Sequence, residues 1–174
     1  MARIAYANLD SPTIAPLAQR ITQERGSVLH LYQMLLHSPN IAEGWLSYLT
    51  AIRQKSSLTG SLRELVIMRV AVLNGAPYEA DQHAPIALAE GISQPQLDAL
   101  ADWESSTVFS QQQRDVLTYT DVMTQKVQVP DSVFQAVAQH FSEKEIIELT
   151  ATIAAYNMVS RFLEALQVHS SDAR

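Results

Sequence analysis

Glycine placement constrains this chain more than any other feature. The five glycines stand at 26, 44, 60, 75 and 91, at intervals of 18, 16, 15 and 16 residues. That spacing is one helix plus one turn, and the segments between them carry three-and-four rather than alternating apolar patterns. With no two glycines closer than fifteen residues, a glycine-rich phosphate loop is excluded. The expected fold class is all-α: a multihelical bundle with additional packing helices, eight or nine in all, joined by short connections and with no sheet.

Local signals place the helices. Ser27 precedes an apolar run over 28–36, and Ser38-Pro39 stops one helix and opens another carrying Ile41, Trp45, Leu46, Leu49 and Ile52. Ser61 to Asn74 is the clearest helix, with Gly75 as its C-cap. Pro77 opens the next, which Gly91 ends. Capping-box pairs Ser93…Gln96, Ser110…Gln113 and Ser142…Glu145 start three more, and Pro130 opens a short helix through Phe141. The last, from Glu143 to about Val168, is apolar on most faces and is expected to be central. Val127-Gln128-Val129 is too short before its proline to be a strand and reads as a loop.

Composition then removes whole classes of function. The 174 residues suit one domain, expected over 1–174 with 1–11 and 169–174 poorly ordered. The cysteine count is zero, which excludes disulfides, thiolate zinc sites, thiol nucleophiles and CxxC redox chemistry. A net charge of −6 with no basic run argues against a nucleic-acid partner. No stretch reaches the length of a membrane span and none resembles an export signal, so no membrane partner and a cytoplasmic location are expected.

Three polar groups stand in apolar surroundings. Glu64 shares a helix face with Met68 and Ala71. A carboxylate among methyl groups is stripped of water, the setting in which carboxyls serve as proton carriers; the alternative is an ion pair with Arg63 or Arg69. Glu79 and His83 are four apart in Tyr78-Glu79-Ala80-Asp81-Gln82-His83, so they stack on one face. The pair suits general acid–base work, or is an incidental contact on a solvated face. Two helical ligands without a partner motif do not make a metal site, and neither metal nor cofactor is expected. Asn157 and Arg161, also four apart, lie in the apolar last helix, where Arg161 needs Glu164 or a bound anion as partner. The other histidines, 30, 37, 140 and 169, look ordinary, and Trp45 and Trp103 read as core anchors.

Asn74-Gly75-Ala76 should fold its two helices into an antiparallel hairpin. Glu64 then lies about 16 Å before the bend and His83 about 10–12 Å after it, close enough to meet if the faces agree.

These residues resemble a known family. Arg63 to Ala71, then Asn74 to Glu79, then His83 look like the signature of the carboxymuconolactone decarboxylase / AhpD-like superfamily, in its cysteine-free branch. The likeness extends over roughly residues 28 to 168. In the hydroperoxidase branch a glutamate is followed after eleven residues by CxxC and after three more by histidine. Here Glu64 and His83 match those ends, while Ala76 and Glu79 hold the cysteine places, so the peroxidatic mechanism is not inherited. The arginine that the decarboxylases carry just after the glycine is also absent, since Ala76 and Pro77 follow Gly75. The resemblance implies an AhpD-like helical fold and homo-oligomers, a trimer or a multiple of one. The function expected is acid–base chemistry, decarboxylation or isomerisation, on a small carboxylated carbonyl or lactone compound. His83 would transfer the proton, Glu64 orient it and Glu79 tune it, with Tyr78, Asn157 and Arg161 as substrate-binding candidates. A non-catalytic small-molecule-binding or scaffolding role is the alternative, and an AhpD-like hydroperoxidase is disfavoured by the missing thiols.

Overall fold

The structure, a computed structural model, describes residues 1–173. In order they form α1 (Ala15–Arg25), α2 (His30–Leu35), α3 (Pro39–Thr50), α4 (Gly60–Asn74), α5 (Pro77–Ala89), α6 (Gln94–Ala99), α7 (Gln111–Lys126), α8 (Asp131–Ala138) and α9 (Glu143–Leu166). A π-helical turn, Ala51–Lys55, follows α3, and a 3-10 segment, Leu100–Ser105, follows α6. The fold is all-α, as the periodicity demanded, and no strand occurs among the described residues.

The chain groups into two compact units: Met1–Lys55 with the described residues from Leu163 onward, and Ser56–Phe162. In the first unit, Ile21, Leu36, Ala42, Leu46, Leu163 and Val168 are almost fully buried. The described residues of the two terminal stretches, 1–11 and 169–173, carry specific bonds, and residue 174 of the second stretch lies outside the described residues. The Arg3 amide donates to the Leu166 carbonyl at 2.9 Å, and the Tyr6 hydroxyl donates to Asp172 Oδ2 at 2.7 Å. Gln33 Nε2 holds the Ala7 carbonyl at 3.0 Å.

The second unit is built on α4, which packs chiefly against α5 and α7. Leu65, Val66, Ile67 and Val70 of α4 are completely buried, as are Val116 and Leu117 of α7 and Leu149 and Ile153 of α9. Thr59, two positions before the expected start at Ser61, caps α4 by accepting from the Leu62 amide. Gly75 ends the helix in the left-handed conformation, φ 58° and ψ 43°. The Ala76 amide returns to Ala71 and the Gly75 amide to Val72, a Schellman closure that turns the chain directly into Pro77, the first residue of α5. All three capping boxes form, at Ser93, Ser110 and Ser142.

The differences are mostly at helix ends. The 28–36 run is helical only over 30–35, because Leu29 is extended (ψ 159°). The helix after Pro130 stops at Ala138, short of Phe141, and α9 stops at Leu166, where Gln167 takes φ 53°. Trp103 is the core anchor expected, whereas Trp45 is only half-buried.

Candidate active site

The α4–α5 hairpin brings Glu64 and His83 face to face. Glu64 Oε2 and His83 Nδ1 are 2.7 Å apart, with the glutamate completely buried and 9% of the imidazole side chain exposed. Residues nineteen apart in sequence can meet this way only because the Gly75 turn is tight and both helices run close to it. The second Glu64 oxygen faces Arg63 Nε at a longer 3.4 Å. Of the partners the sequence offered Glu64, Arg63 is present at the longer distance, while the histidine is the short partner. Arg69 is committed elsewhere. It grips Asp121 with two bonds, 2.6 and 2.7 Å, and donates to the Leu100 carbonyl at 2.5 Å. Trp103 Nε1 donates to the same aspartate at 3.1 Å.

The local pairing rule that joined Glu79 to His83 does not give the short bond to His83. That bond comes from Glu64, on the facing helix. Glu79 is 2% exposed, and its Oε2 accepts from the Ser160 hydroxyl of α9 at 2.8 Å. Ser160 also lies 2.8 Å from the Tyr156 carbonyl. The Tyr156 ring meets the imidazole edge-on, centroids 5.1 Å apart, so α9 walls the site with Tyr156 and Ser160. The sequence reading assigned neither a role, although both lie in the 156–161 segment of α9 that holds Asn157 and Arg161.

Tyr78 is buried in the first turn of α5, at 3% exposure. Asn157 is half-buried and makes a structural junction: it donates to Thr124 Oγ1 at 2.9 Å and accepts from Asn74 Nδ2 at 3.1 Å. Arg161 is exposed and donates to the carbonyl and side-chain oxygens of Asn157, one turn back, rather than to Glu164. Among the described residues, no three His, Asp or Glu side chains gather as a metal-ligand set.

Residues 39–121, which hold Glu64, Glu79 and His83, match the Carboxymuconolactone decarboxylase family. The chain belongs to the carboxymuconolactone decarboxylase / AhpD-like superfamily. It is 30% identical over 126 residues to the uncharacterized protein YnjA of Escherichia coli (strain K12), a match covering 72% of this chain and 66% of that one. The AhpD-like fold recurs in an uncharacterized peroxidase-related protein from Ralstonia eutropha JMP134. The TM-score there is 0.82 at 18% identity, over 98% of this chain and 93% of that one. It recurs again in a variant of the debrominase Bmp8 in complex with 2,3,4-tribromopyrrole, with a TM-score of 0.81 at 17% identity, over 97% and 93% of the two chains.

Proposed function

We propose that this protein catalyses proton transfer on a small carboxylated carbonyl or lactone compound, by decarboxylation or isomerisation, with His83 as the proton carrier and Glu64 as its positioning residue. The observation that carries this reading is the 2.7 Å bond from a completely buried carboxylate to one imidazole nitrogen. A carboxylate accepts, so Nδ1 carries a hydrogen and Nε2 is the nitrogen that exchanges its proton with the substrate. Glu64 stabilises the imidazolium while the low-dielectric surroundings keep the interaction strong. In decarboxylation the carbon–carboxyl bond breaks and its electron pair passes to the neighbouring carbonyl oxygen. Carbon dioxide leaves, and the enolate carbon then takes the Nε2 proton. Isomerisation uses the same nitrogen to remove a proton and return it at a second carbon. Glu79, anchored by Ser160, adds a second carboxyl beside the first turn of α5, with Tyr78 as its neighbour.

The protein is further proposed to act in the cytoplasm, without nucleic-acid or membrane partners, as a homo-oligomer, a trimer or a multiple of one. No helix among the described residues is long and apolar enough to cross a membrane. Ile147, Ala154 and Met158 project along one side of α9 as exposed apolar residues, a pattern that suits helix-to-helix association.

The test is deuterium uptake. Small unsaturated lactones and keto acids are incubated with protein in D2O and followed by proton NMR. Protein-dependent exchange at carbons next to the carbonyl, or loss of carbon dioxide, is expected, and both should vanish on His83→Asn. Exchange that survives this substitution would refute the assignment.

A further inference from the structure

Beside the Glu64–His83 pair lies a cation that the proposed reaction has not used. Arg63 is largely buried, with 11% of its side chain exposed, and both of its carboxylate contacts are long: 3.4 Å to Glu64 and 3.3 Å to Glu90. The same chain shows what a committed arginine looks like, since Arg69 holds Asp121 at 2.6 and 2.7 Å. Charge-assisted bonds to carboxylates normally close to about 2.7–2.9 Å. Arg63 therefore holds both acidic neighbours loosely, and its planar fork of five donors has capacity for a better-placed carboxylate.

Glu90 makes such an exchange feasible. It follows the last turn of α5, its side chain is 42% exposed, and Gly91 after it takes the left-handed conformation (φ 99°). Its carboxylate lies directly over Gly60, the first residue of α4, in space that a single added methyl group would occupy. An internal carboxylate thus sits on Arg63, one residue from Glu64, and it can swing into water. Arg63 and His83 are held on opposite oxygens of one Glu64 carboxylate, so a carboxylate taken up by Arg63 would be delivered beside the imidazole.

We infer that Arg63 is the residue that binds the substrate's carboxylate, and that Glu90 occupies this place until the substrate displaces it. The inference rests on the proton-transfer reading for its position beside the reacting groups. It assigns to Arg63 the role for which the sequence had offered Arg161, an exposed side chain already engaged by Asn157.

Calorimetric titration with maleate, using maleamide as the uncharged control, tests the inference on the intact protein. Arg63→Met should weaken maleate binding about tenfold to a hundredfold, the range for losing hydrogen bonds to a charged group. Arg63→Lys should recover part of that loss, because the charge returns without the fork. Glu90→Gln should tighten binding about two- to fivefold, the scale of an exposed ion pair removed from competition. Gly60→Ala should do the same for a different reason, since the new methyl group evicts the Glu90 carboxylate while leaving every charge in place. Maleamide should respond to none of these changes. Equal maleate affinity in wild type and a folded Arg63→Met protein overturns the inference. So does a failure of both Glu90→Gln and Gly60→Ala to tighten binding, or the absence of maleate binding in every protein; these results decide the matter even if Arg63→Met does not fold. His83→Asn separates the two proposals. Maleate binding that depends on Arg63, with exchange activity unaffected by His83→Asn, would remove the proton-transfer reading and leave the carboxylate site standing.

Discussion

Replacing His83 tests the site most sharply, because the structure predicts that two substitutions at this position will behave differently. His83→Ala removes the short partner of a completely buried carboxylate and leaves Glu64 with only the 3.4 Å contact to Arg63. Breaking a buried charged pair costs about 3–5 kcal/mol, and the remaining arginine places this case near the lower end, about 3 kcal/mol. For a chain of this length each kcal/mol moves the melting temperature by about 2–4 °C, so Tm should fall by about 6–12 °C. His83→Asn is different, because the asparagine amide can put a donor close to the Nδ1 position and keep the bond to Glu64. Its Tm should stay within about 4 °C of wild type, equivalent to about 1 kcal/mol. Neither variant can shuttle a proton, and both should lose about 10²–10⁴-fold in exchange or turnover. Adding Glu64→Gln to His83→Asn should cost little further activity, as expected of groups that act as one unit. Differential scanning calorimetry beside the D2O exchange assay reads both effects. Equal melting losses in the two variants would show that the bond to Glu64 does not hold the hairpin, and full activity in the asparagine variant would show that the imidazole is not the proton carrier.

Asp121→Ala should strand the buried Arg69 guanidinium and cost about 3–5 kcal/mol by denaturant titration, whereas Arg69→Met combined with Asp121→Leu should recover most of that loss. The Tyr6 hydroxyl, donating to Asp172, is the main reason that carboxyl titrates at about 2. An aspartate in the unfolded chain titrates near about 3.9, so this stabilisation is fully present above pH 4 and is lost as pH falls from about 4 towards 2. Tyr6→Phe should flatten melting curves across that window, and identical wild-type and variant profiles would count against the assignment. Peroxide should not be consumed with thiol or dihydrolipoyl reductants, since Ala76 and Glu79 stand where a sulfenate would form and be resolved. Light scattering at micromolar concentration should give a trimer or a multiple of one, and a monomer would refute the assembly.

The sequence announced its helices through residues that act within a few positions of themselves. Gly75 and the serine–glutamine or serine–glutamate boxes satisfy backbone groups at most five residues away, and Pro77 removes a donor that the first helical turn would leave unpaired, so their effects were legible. The hairpin followed from one glycine, and counting residues on either side of it put Glu64 and His83 within reach, while the agreement of their faces was set by packing. Partners set by tertiary packing left no such trace. Ser160 reaches Glu79 across 81 residues, and Asp121 reaches Arg69 across 52. In both cases a local candidate, His83 for Glu79 and Glu64 for Arg69, was nearer in sequence. The shortened α2 and the π-helical turn at Ala51–Lys55 likewise depend on packing, since nothing in those side chains forbids a longer α-helix. The loose grip of Arg63 was also invisible, because sequence spacing ranks possible partners but not the quality of their contacts.

The nineteen-residue separation of Glu64 and His83 also bears on when the site forms. Closing so short a segment costs little chain entropy, and contacts of low sequence separation are made early in folding. The Glu64–His83 pair can therefore assemble as soon as α4 and α5 fold back on each other, before Asp121 locks Arg69 or Ser160 reaches Glu79. Substitutions at Gly75 should slow folding, whereas substitutions at Ser160 or Asp121 should chiefly speed unfolding. On the proposed function, a chain that keeps Glu64 and His83 in one local hairpin can accept changes in its remaining helices without separating the two groups.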